Sequence, residues 1–363
     1  SDQLVIISEF NNKTVINQLL RTNEQKEKVQ KLKSFIEHHD FNVNNAIESY
    51  HVKITAGTGS VGLRDEIGSI QSMIRLAHFT MINAKENNIP FTIATEQTRI
   101  IKDDIDIFNQ EIETGIAYDE FVPYFLPIID AKTTRIVGCE SLLRWEKNEY
   151  RIIEAAKFKK IAEEKNLFGQ LDKIIIEKTF RSYKTWKQKG LIKEDFIITI
   201  NLSLQSLLSL KSHELLKLTR EYGVENKNVE FDISENDILN DEVIESLKRL
   251  KQNGFKVSID AFDTKATLLK TLINIDIDTI KLGKTNLPTD DKTNGEYQFY
   301  RTLIKFAKLL GYNVMSKGIE NKTHLQTAQE LKVNLVQGYY FTPPLNDTKI
   351  LGFLNKYQSS ILD

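Results

Sequence analysis

The sequence has one cysteine, Cys139, in 363 residues. No disulfide can form within the chain, and a reducing, cytoplasmic setting is the default reading. No apolar run approaches the ~20 residues of a membrane span, and no leader pattern opens the chain. An excess of charge of one sign is also missing. The 49 Lys and Arg against 50 Asp and Glu leave a formal net charge of −1. That excludes a whole-chain cationic footprint for nucleic acid and leaves only local basic patches open. Histidine is scarce, six in all, and only His38 and His39 adjoin. With Asp40 they could offer metal ligands, but adjacent helical residues face apart, and a solvated helix end is the simpler reading. The chain opens without Met inside a strand-like run. It reads as a piece of a longer protein whose upstream part carries sensory or membrane segments.

What is present describes a globular protein. Hydrophobic residues make up 40% and charged residues 27%, and the length suits two domains, three at a stretch. Residues 3–7 form a short β-like run. Residues 12–37 carry helical periodicity through Val15, Leu19, Leu20, Val29, Leu32 and Ile36. His51–Thr55 alternates like a strand and runs into AGTGSVGL, a Gly-rich turn. That turn lacks the Lys-Ser/Thr of a phosphate-binding loop, so it reads as a strand-to-loop turn. Ile67–Asn87 is an amphipathic helix, with Ile70, Met73, Ile74, Ala77 and Met81 on one side, and Phe91–Ala94 is a last strand. Strand, helix, strand, helix, strand is half of an α/β layer domain. The polar stretch 96–120 reads as a connecting helix, and the divisions predicted are 1–105, a linker helix at 106–118, and 119–363.

From residue 121 onward strands and helices alternate. Strand-like runs lie at 121–128, 135–143, 196–201, 228–233, 256–260, 277–282, 312–315 and 334–336. Helix-like stretches include 151–165, 169–188, 240–252, 294–310 and 322–331. Eight strands with helices between them predict a (β/α)8 barrel. The first two strands are joined by a tight turn at Asp130–Thr134. Such a turn forces antiparallel pairing, so one strand should run against the rest. Chemistry in such barrels sits at the C-terminal strand ends. The polar residues there are Glu140, Asn201, Asp232 with Glu235, Asp260, Lys281, Lys317 with Glu320, and Gln337. Any one alone is an ordinary polar strand end; one per strand at consistent depth predicts a shared pocket. Glu140, Arg144 and Trp145, within six residues, suit phosphate or nucleotide contact better than packing.

The stretch FVPYFLPIIDAKTTRIVGCESLLRW, residues 121–145, resembles the opening of an EAL domain. That family comprises cyclic di-GMP phosphodiesterases and their catalytically dead relatives. Pro127 and Ile128 match the opening Q-P-I, and Glu140-Ser141-Leu142 stands for E-A-L. The resemblance runs to the C-terminus, about two thirds of the chain. It implies an EAL-type modified barrel with one antiparallel strand. MIRLAHFTMINAK, residues 73–85, resembles a late helix of GGDEF domains, the diguanylate cyclase fold, with Ser1-Asp2-Gln3-Leu4 where the signature turn would end. This implies a partial, degenerate GGDEF-like domain over 1–105 with no cyclase activity, since Gln3 replaces a carboxylate.

The EAL resemblance also assigns roles. Glu140, Asn201 (in INLSLQSL), Asp232 (in VEFDISEN) and Asp260 (in SIDAFDTKATLL) match metal-binding positions. Glu235 matches a loop-anchoring acid. Lys281 (in DTIKLGKTNL) and Glu320 (in MSKGIEN) match catalytic positions and are vestigial candidates here. Leu142, Arg144, Glu140, Asn201, Asp260, Lys317 and Gln337 (in VQGYYFTPPL) are the implied ligand-binding set. Tyr339, Tyr340 and Phe341, ahead of Pro343-Pro344, read either as a pocket-closing loop or as a barrel-end plug.

Departures from the family pattern decide the expected function. Leu126 replaces the entry glutamine, Ala261 a metal-binding aspartate, Asp263 and Lys265 two glycines, Gly283 an aspartate, and Lys317 a glutamate. Family phosphodiesterases use two divalent ions to clamp phosphate and activate water. Here the resemblance leaves one site at most, Glu140, Asn201, Asp232 and Asp260, for one Mg or Mn ion. The expected function is a catalytically inactive EAL-type regulatory module of the cyclic di-GMP network. It would act by sensing the nucleotide or by binding a protein or RNA partner, and the family resemblance allows a homodimer. The alternative is a weak metal-dependent phosphodiesterase releasing pGpG.

Overall fold

The computed structural model describes residues 27, 31, 34, 41–43, 46–48, 56–58, 78–82, 84, 91–93, 96–148, 151–209, 211–260, 272, 275–283, 287 and 295–359. The chain divides into two compact units, Ser1–Gln110 and Glu111–Asp363. No described helix is long and apolar enough to cross a membrane.

In the first unit residues 27, 31 and 34 are helical. Strands β1 (Phe41–Val43) and β2 (Ala46–Glu48) pair antiparallel. Strands β3 (Ala56–Thr58) and β4 (Phe91–Ile93) pair parallel, with helical residues 78–82 and 84 between them. Parallel neighbours need such a crossover, and Thr80 and Ala84, four residues apart, are both buried. The first three residues of the Gly-rich turn therefore belong to a strand. The β-like run at 3–7, His51–Thr55, His38–Asp40 and Ser1–Leu4 lie outside the described residues.

Helix α1 (Glu96–Ala117) runs through the stretch read as a linker. Phe108 and Ile112, one turn apart, are buried. The helix ends before Asp119, whose φ of 61° is left-handed. Gly115 lies where a Cβ would stand 2.7 Å from Trp145 Nε1. The absence of a side chain there lets the indole dock and donate to Glu120 Oε2 at 2.7 Å.

The second unit is built on β5 (Phe121–Asp130), β6 (Ile136–Asn148), β7 (Arg151–Glu154), β8 (Ile197–Asn201), β9 (Val229–Ser234), β10 (Lys256–Asp260), β11 (Thr279–Leu282), β12 (Asn313–Ser316) and β13 (Leu335–Val336). The order β5-β13-β12-β11-β10-β9-β8-β6 closes through β5–β6 pairing into an eight-stranded barrel, and β7 adds outside β6. β5 is antiparallel to both β6 and β13, while β6 and β8 through β13 run parallel. The expected EAL-type barrel with one reversed strand is the fold found. The reversal is set by the Asp130–Arg135 turn: Asp130 Oδ1 accepts from Thr133 N and Oγ1 at 2.7 Å, and Thr134 takes φ 56°. Pro123 and Pro127 fit inside β5 because Phe125, between them, exchanges its backbone bonds with Leu345 rather than β6. Alternation puts their missing donors on that same side.

The helices are α2 (Ala155–Glu164), α3 (Phe168–Gln188), α4 (Leu204–Ser209), α5 (Ser212–Tyr222), α6 (Asp241–Gln252), α7 (Gly295–Leu309), α8 (Lys322–Glu330) and α9 (Asp347–Ser359). One boundary read from periodicity is corrected. Residues 151–154 are not the start of a helix but β7, paired with β6 so that Ile153 faces Trp145. Only Ile153 of the four is buried, a period of two that four residues are too short to advertise.

Strand alternation sorts the walls. Phe231, Ile233, Val257, Ile259, Ile280 and Val314 are fully buried in the apolar core, toward the helix layer. Thr199, Glu230, Asp232, Lys281 and Lys317 alternate with them and point inward. The lower tier is polar: Glu230 accepts from Thr199 Oγ1 at 3.1 Å and Thr279 Oγ1 at 2.8 Å.

Candidate functional site at the barrel mouth

Above that tier the strand ends bring three carboxylates and two ammonium groups together. Glu140, at the centre of β6, is 1% exposed. Asn201 at the end of β8 donates Nδ2 to Glu140 Oε1 at 3.2 Å. Asp232 on β9 and Lys281 on β11 have side chains at 0% exposure and meet at 2.6 Å. Ser258 Oγ, on β10 between them, donates to the other Asp232 oxygen at 2.8 Å. Lys317, one residue beyond β12, donates to Asp260 Oδ1 at 2.8 Å and lies 3.5 Å from Glu140 Oε1. Gln337, one residue beyond β13, is buried and donates to the Leu126 carbonyl at 3.3 Å. It is held there by Gly338, where a Cβ would fall 2.2 Å from the Ile319 carbonyl oxygen.

The charges perturb one another. Burial drives the Glu140 carboxyl up, but Lys317, Lys281 and the Asn201 amide outweigh it and hold the group down at about 2. Burial pushes Asp232 up, to about 7, against the pull of Lys281. Burial opposes the Lys281 ammonium, and Asp232 and Glu140 more than restore it, so its pKa is raised. Lys317 is raised in the same way: burial opposes its charge, and Glu140 and Asp260 overcome that. Three carboxylates against two ammonium groups leave one charge over, and it is at Asp232 that burial most favours a proton.

Residues 109–344 match the EAL domain family. The chain belongs to the EAL domain family. MbaA, the biofilm architecture maintenance protein of Vibrio cholerae serotype O1, is 27% identical over 310 residues, 84% of this chain and 38% of its own length. PdeI of Escherichia coli K12, a probable cyclic di-GMP phosphodiesterase, is 27% identical over 239 residues, 65% of this chain and 30% of its own. The chain thus spans under half the length of these curated relatives. The solved structure of the PaMucR phosphodiesterase in its c-di-GMP complex covers 66% of this chain and 98% of that one, with a TM-score of 0.61 at 19% identity. At that identity the likeness speaks for the fold.

Within the EAL barrel the expected strand-end residues divide. Glu140, Asn201, Asp232, Asp260, Lys281 and Lys317 form one connected cluster, with Gln337 beside it. Glu235 is buried one residue past β9. Glu320 is exposed on the loop after β12, its backbone N–H donating to His324 Nδ1 at 3.3 Å. Gly283 follows β11 directly. Ala261, Asp263 and Lys265 lie outside the described residues. Leu142 and Arg144 share the face of Glu140 along β6 and are half-buried. Trp145 corrects the expectation of a ligand-facing indole. It is fully buried, stacked on Phe121 at 5.1 Å and edge-on to Phe158 at 5.8 Å. Arg144 is not wholly committed to the mouth either: its guanidinium lies 3.6 Å from Glu154 across the β6–β7 pair.

EAL domains use divalent ions, and this donor set does not fit one as it stands. Among the described residues no three Asp, Glu, His or Cys side chains converge as metal ligands. Asp232 is taken by Lys281 and Ser258, and Lys317 lies against Glu140 and Asp260. Glu140 Oε2 is buried without a donor. Two residues were missed from the sequence. Ser258 was legible, since it lies two before Asp260 and so shares its face. Glu154 was not, because the sequence over 151–165 reads as one helix and hides β7.

Proposed function

We propose that this EAL chain is a regulatory module of the cyclic di-GMP network that does not hydrolyse the dinucleotide. It acts by nucleotide sensing, or through a protein or RNA partner. One observation supports this above others: Lys317 lies on Glu140 and Asp260, carboxylates that a water-activating metal pair would need. Hydrolysis of a phosphodiester through metal-bound water requires those oxygens to be given to metal. Leu142 and Arg144 remain on the face that would meet the ligand, and the PaMucR structure is described as a c-di-GMP complex. The described residues of the first unit, a parallel strand pair with helical residues between its strands, support the reading of a partial GGDEF-like segment. The second reading, a weak metal-dependent phosphodiesterase, draws on the donor-less Glu140 Oε2 and on the similarity to PdeI, a probable cyclic di-GMP phosphodiesterase. The test is incubation of the protein with cyclic di-GMP and Mn²⁺, following pGpG by mass spectrometry beside Glu140→Ala. No pGpG above the variant supports the regulatory reading. Release of pGpG that vanishes with Glu140→Ala establishes the phosphodiesterase.

A further inference from the structure

Lys317 does more than cap a strand. Its ammonium sits between an oxygen of Asp260, from β10, and an oxygen of Glu140, from β6. Asn201 supplies its amide to the same Glu140 oxygen. One cation bridging carboxylates of two strands beside an amide is the arrangement in which such groups hold a divalent ion. Here the cation is on a four-carbon stem and cannot leave. Lys281 plays the same part for Asp232 in the fully closed interior. The two lysines differ in freedom: the Lys281 side chain is wholly buried, whereas that of Lys317 is 23% exposed at the mouth.

We infer that Lys317 is a tethered cation standing where a divalent ion would be held, so that this mouth takes a phosphate diester without metal. The inference rests on the proposed function and assigns its charge chemistry. A bare group of three carboxylates repels a phosphodiester. With both lysines in place that repulsion is largely cancelled, and the partly exposed Lys317 can offer protons to a phosphate oxygen while it stays beside Asp260. Arg144, from the same face of β6 as Glu140, is the second counter-charge. A dication cannot share these oxygens with the ammonium, so metal enters only if Lys317 turns out.

The experiment uses the whole chain, Lys317→Glu and Lys317→Met. Mn²⁺ uptake is read from the EPR signal of the free ion, and cyclic di-GMP binding from calorimetry in EDTA and in Mn²⁺. Wild type should leave stoichiometric Mn²⁺ free, and Lys317→Glu should bind one equivalent. Cyclic di-GMP should bind wild type equally in EDTA and Mn²⁺, and about ten-fold more weakly to Lys317→Met in EDTA, with Mn²⁺ returning part of that loss. Lys317→Glu should bind the nucleotide only with Mn²⁺. Stoichiometric Mn²⁺ uptake by wild type, or nucleotide binding that requires Mn²⁺, overturns the inference. Wild type that binds no nucleotide in either buffer overturns its ligand half, and the Mn²⁺ arm still decides the tether. Release of pGpG is read separately and bears on the proposed function alone. If Lys317→Glu does not fold, Lys317→Gln takes its place, and Mn²⁺ uptake by Lys317→Gln no different from wild type counts against the tether.

Discussion

Replacing Lys281 by Met should destabilise the barrel by an amount that grows with pH. Lys281 and Asp232 are both fully buried, 2.6 Å apart, and the carboxylate has one other donor in Ser258 Oγ. Removing one partner of such a pair costs ~3–5 kcal/mol, chiefly by leaving the other charge uncompensated. The Asp232 carboxyl is already raised from 3.8 to about 7 with Lys281 present, and without it the value rises further. The folded chain then keeps a proton that the unfolded chain sheds. Stability tied to that proton is full below 3.8 and gone once pH passes the folded value, near 7 in wild type and higher in the variant. Between those two folded values the gap between the proteins should widen by ~1.4 kcal/mol per pH unit. Urea unfolding at about pH 6.5 and about pH 8.5 measures it, the window being set by the raised carboxyl. Trp145 and Trp186, the only tryptophans, are both buried in the barrel unit, so their fluorescence reports that unit alone. Lys281→Met with Asp232→Leu should recover most of the loss, an interaction energy of ~2 kcal/mol or more. A loss equal at both pH values, or a double variant as unstable as the two singles summed, would refute the reasoning.

Glu140→Gln should flatten the acid limb of the stability curve. The wild-type carboxyl is lowered from 4.5 to about 2, so its stabilisation is present above pH 4.5 and lost as pH falls through about 2. That is worth about 3 kcal/mol, read from unfolding midpoints across that range. Gly338→Ala must shift the Ile319 backbone, which a Cβ would approach to 2.2 Å; the urea midpoint should report a loss of ~1–3 kcal/mol. Glu154→Gln frees Arg144 from its 3.6 Å partner. Calorimetry should show cyclic di-GMP bound up to about five-fold more tightly, and less so at high salt, as for other exposed pairs.

The barrel was legible because its evidence is redundant. Each of the eight barrel strands from 121 to 336 is an apolar run bounded by turn residues, and the Asp130–Arg135 turn alone reverses β5. The strand-end residues were legible for the same reason: alternation fixes which side faces inward, so Asp260 implies Ser258 and Glu140 implies Leu142. What stayed hidden depends on distance across the barrel. Nothing in SKGIEN says that Lys317 will bridge Asp260 and Glu140, which lie 57 and 177 positions away along the chain. Trp145 misled for a related reason. An indole at a strand end reads equally as ligand platform or core, and only the approach of Gly115 and Glu120 decides for core.

The lysines also explain how the mouth can change while the fold stays. Phe231, Ile259, Ile280 and Val314 point out to the helices, and that apolar layer holds the barrel. Asp232, Lys281 and Lys317 point the other way, into a space where charge must balance whatever its source. A buried carboxylate ring is stable with metal or with ammonium and unstable with neither. A glutamate-to-lysine change at one strand end therefore swaps the source of positive charge without asking anything of the wall. On this account a chain with Lys317→Met should lose stability, because Asp260 and Glu140 are left facing each other without a cation. Added Mn²⁺ should return part of that loss, whereas Lys317 in wild type makes the same addition silent. Thermal melts with and without Mn²⁺ decide the point: equal shifts for both proteins would mean that Lys317 and metal do not compete for the same oxygens.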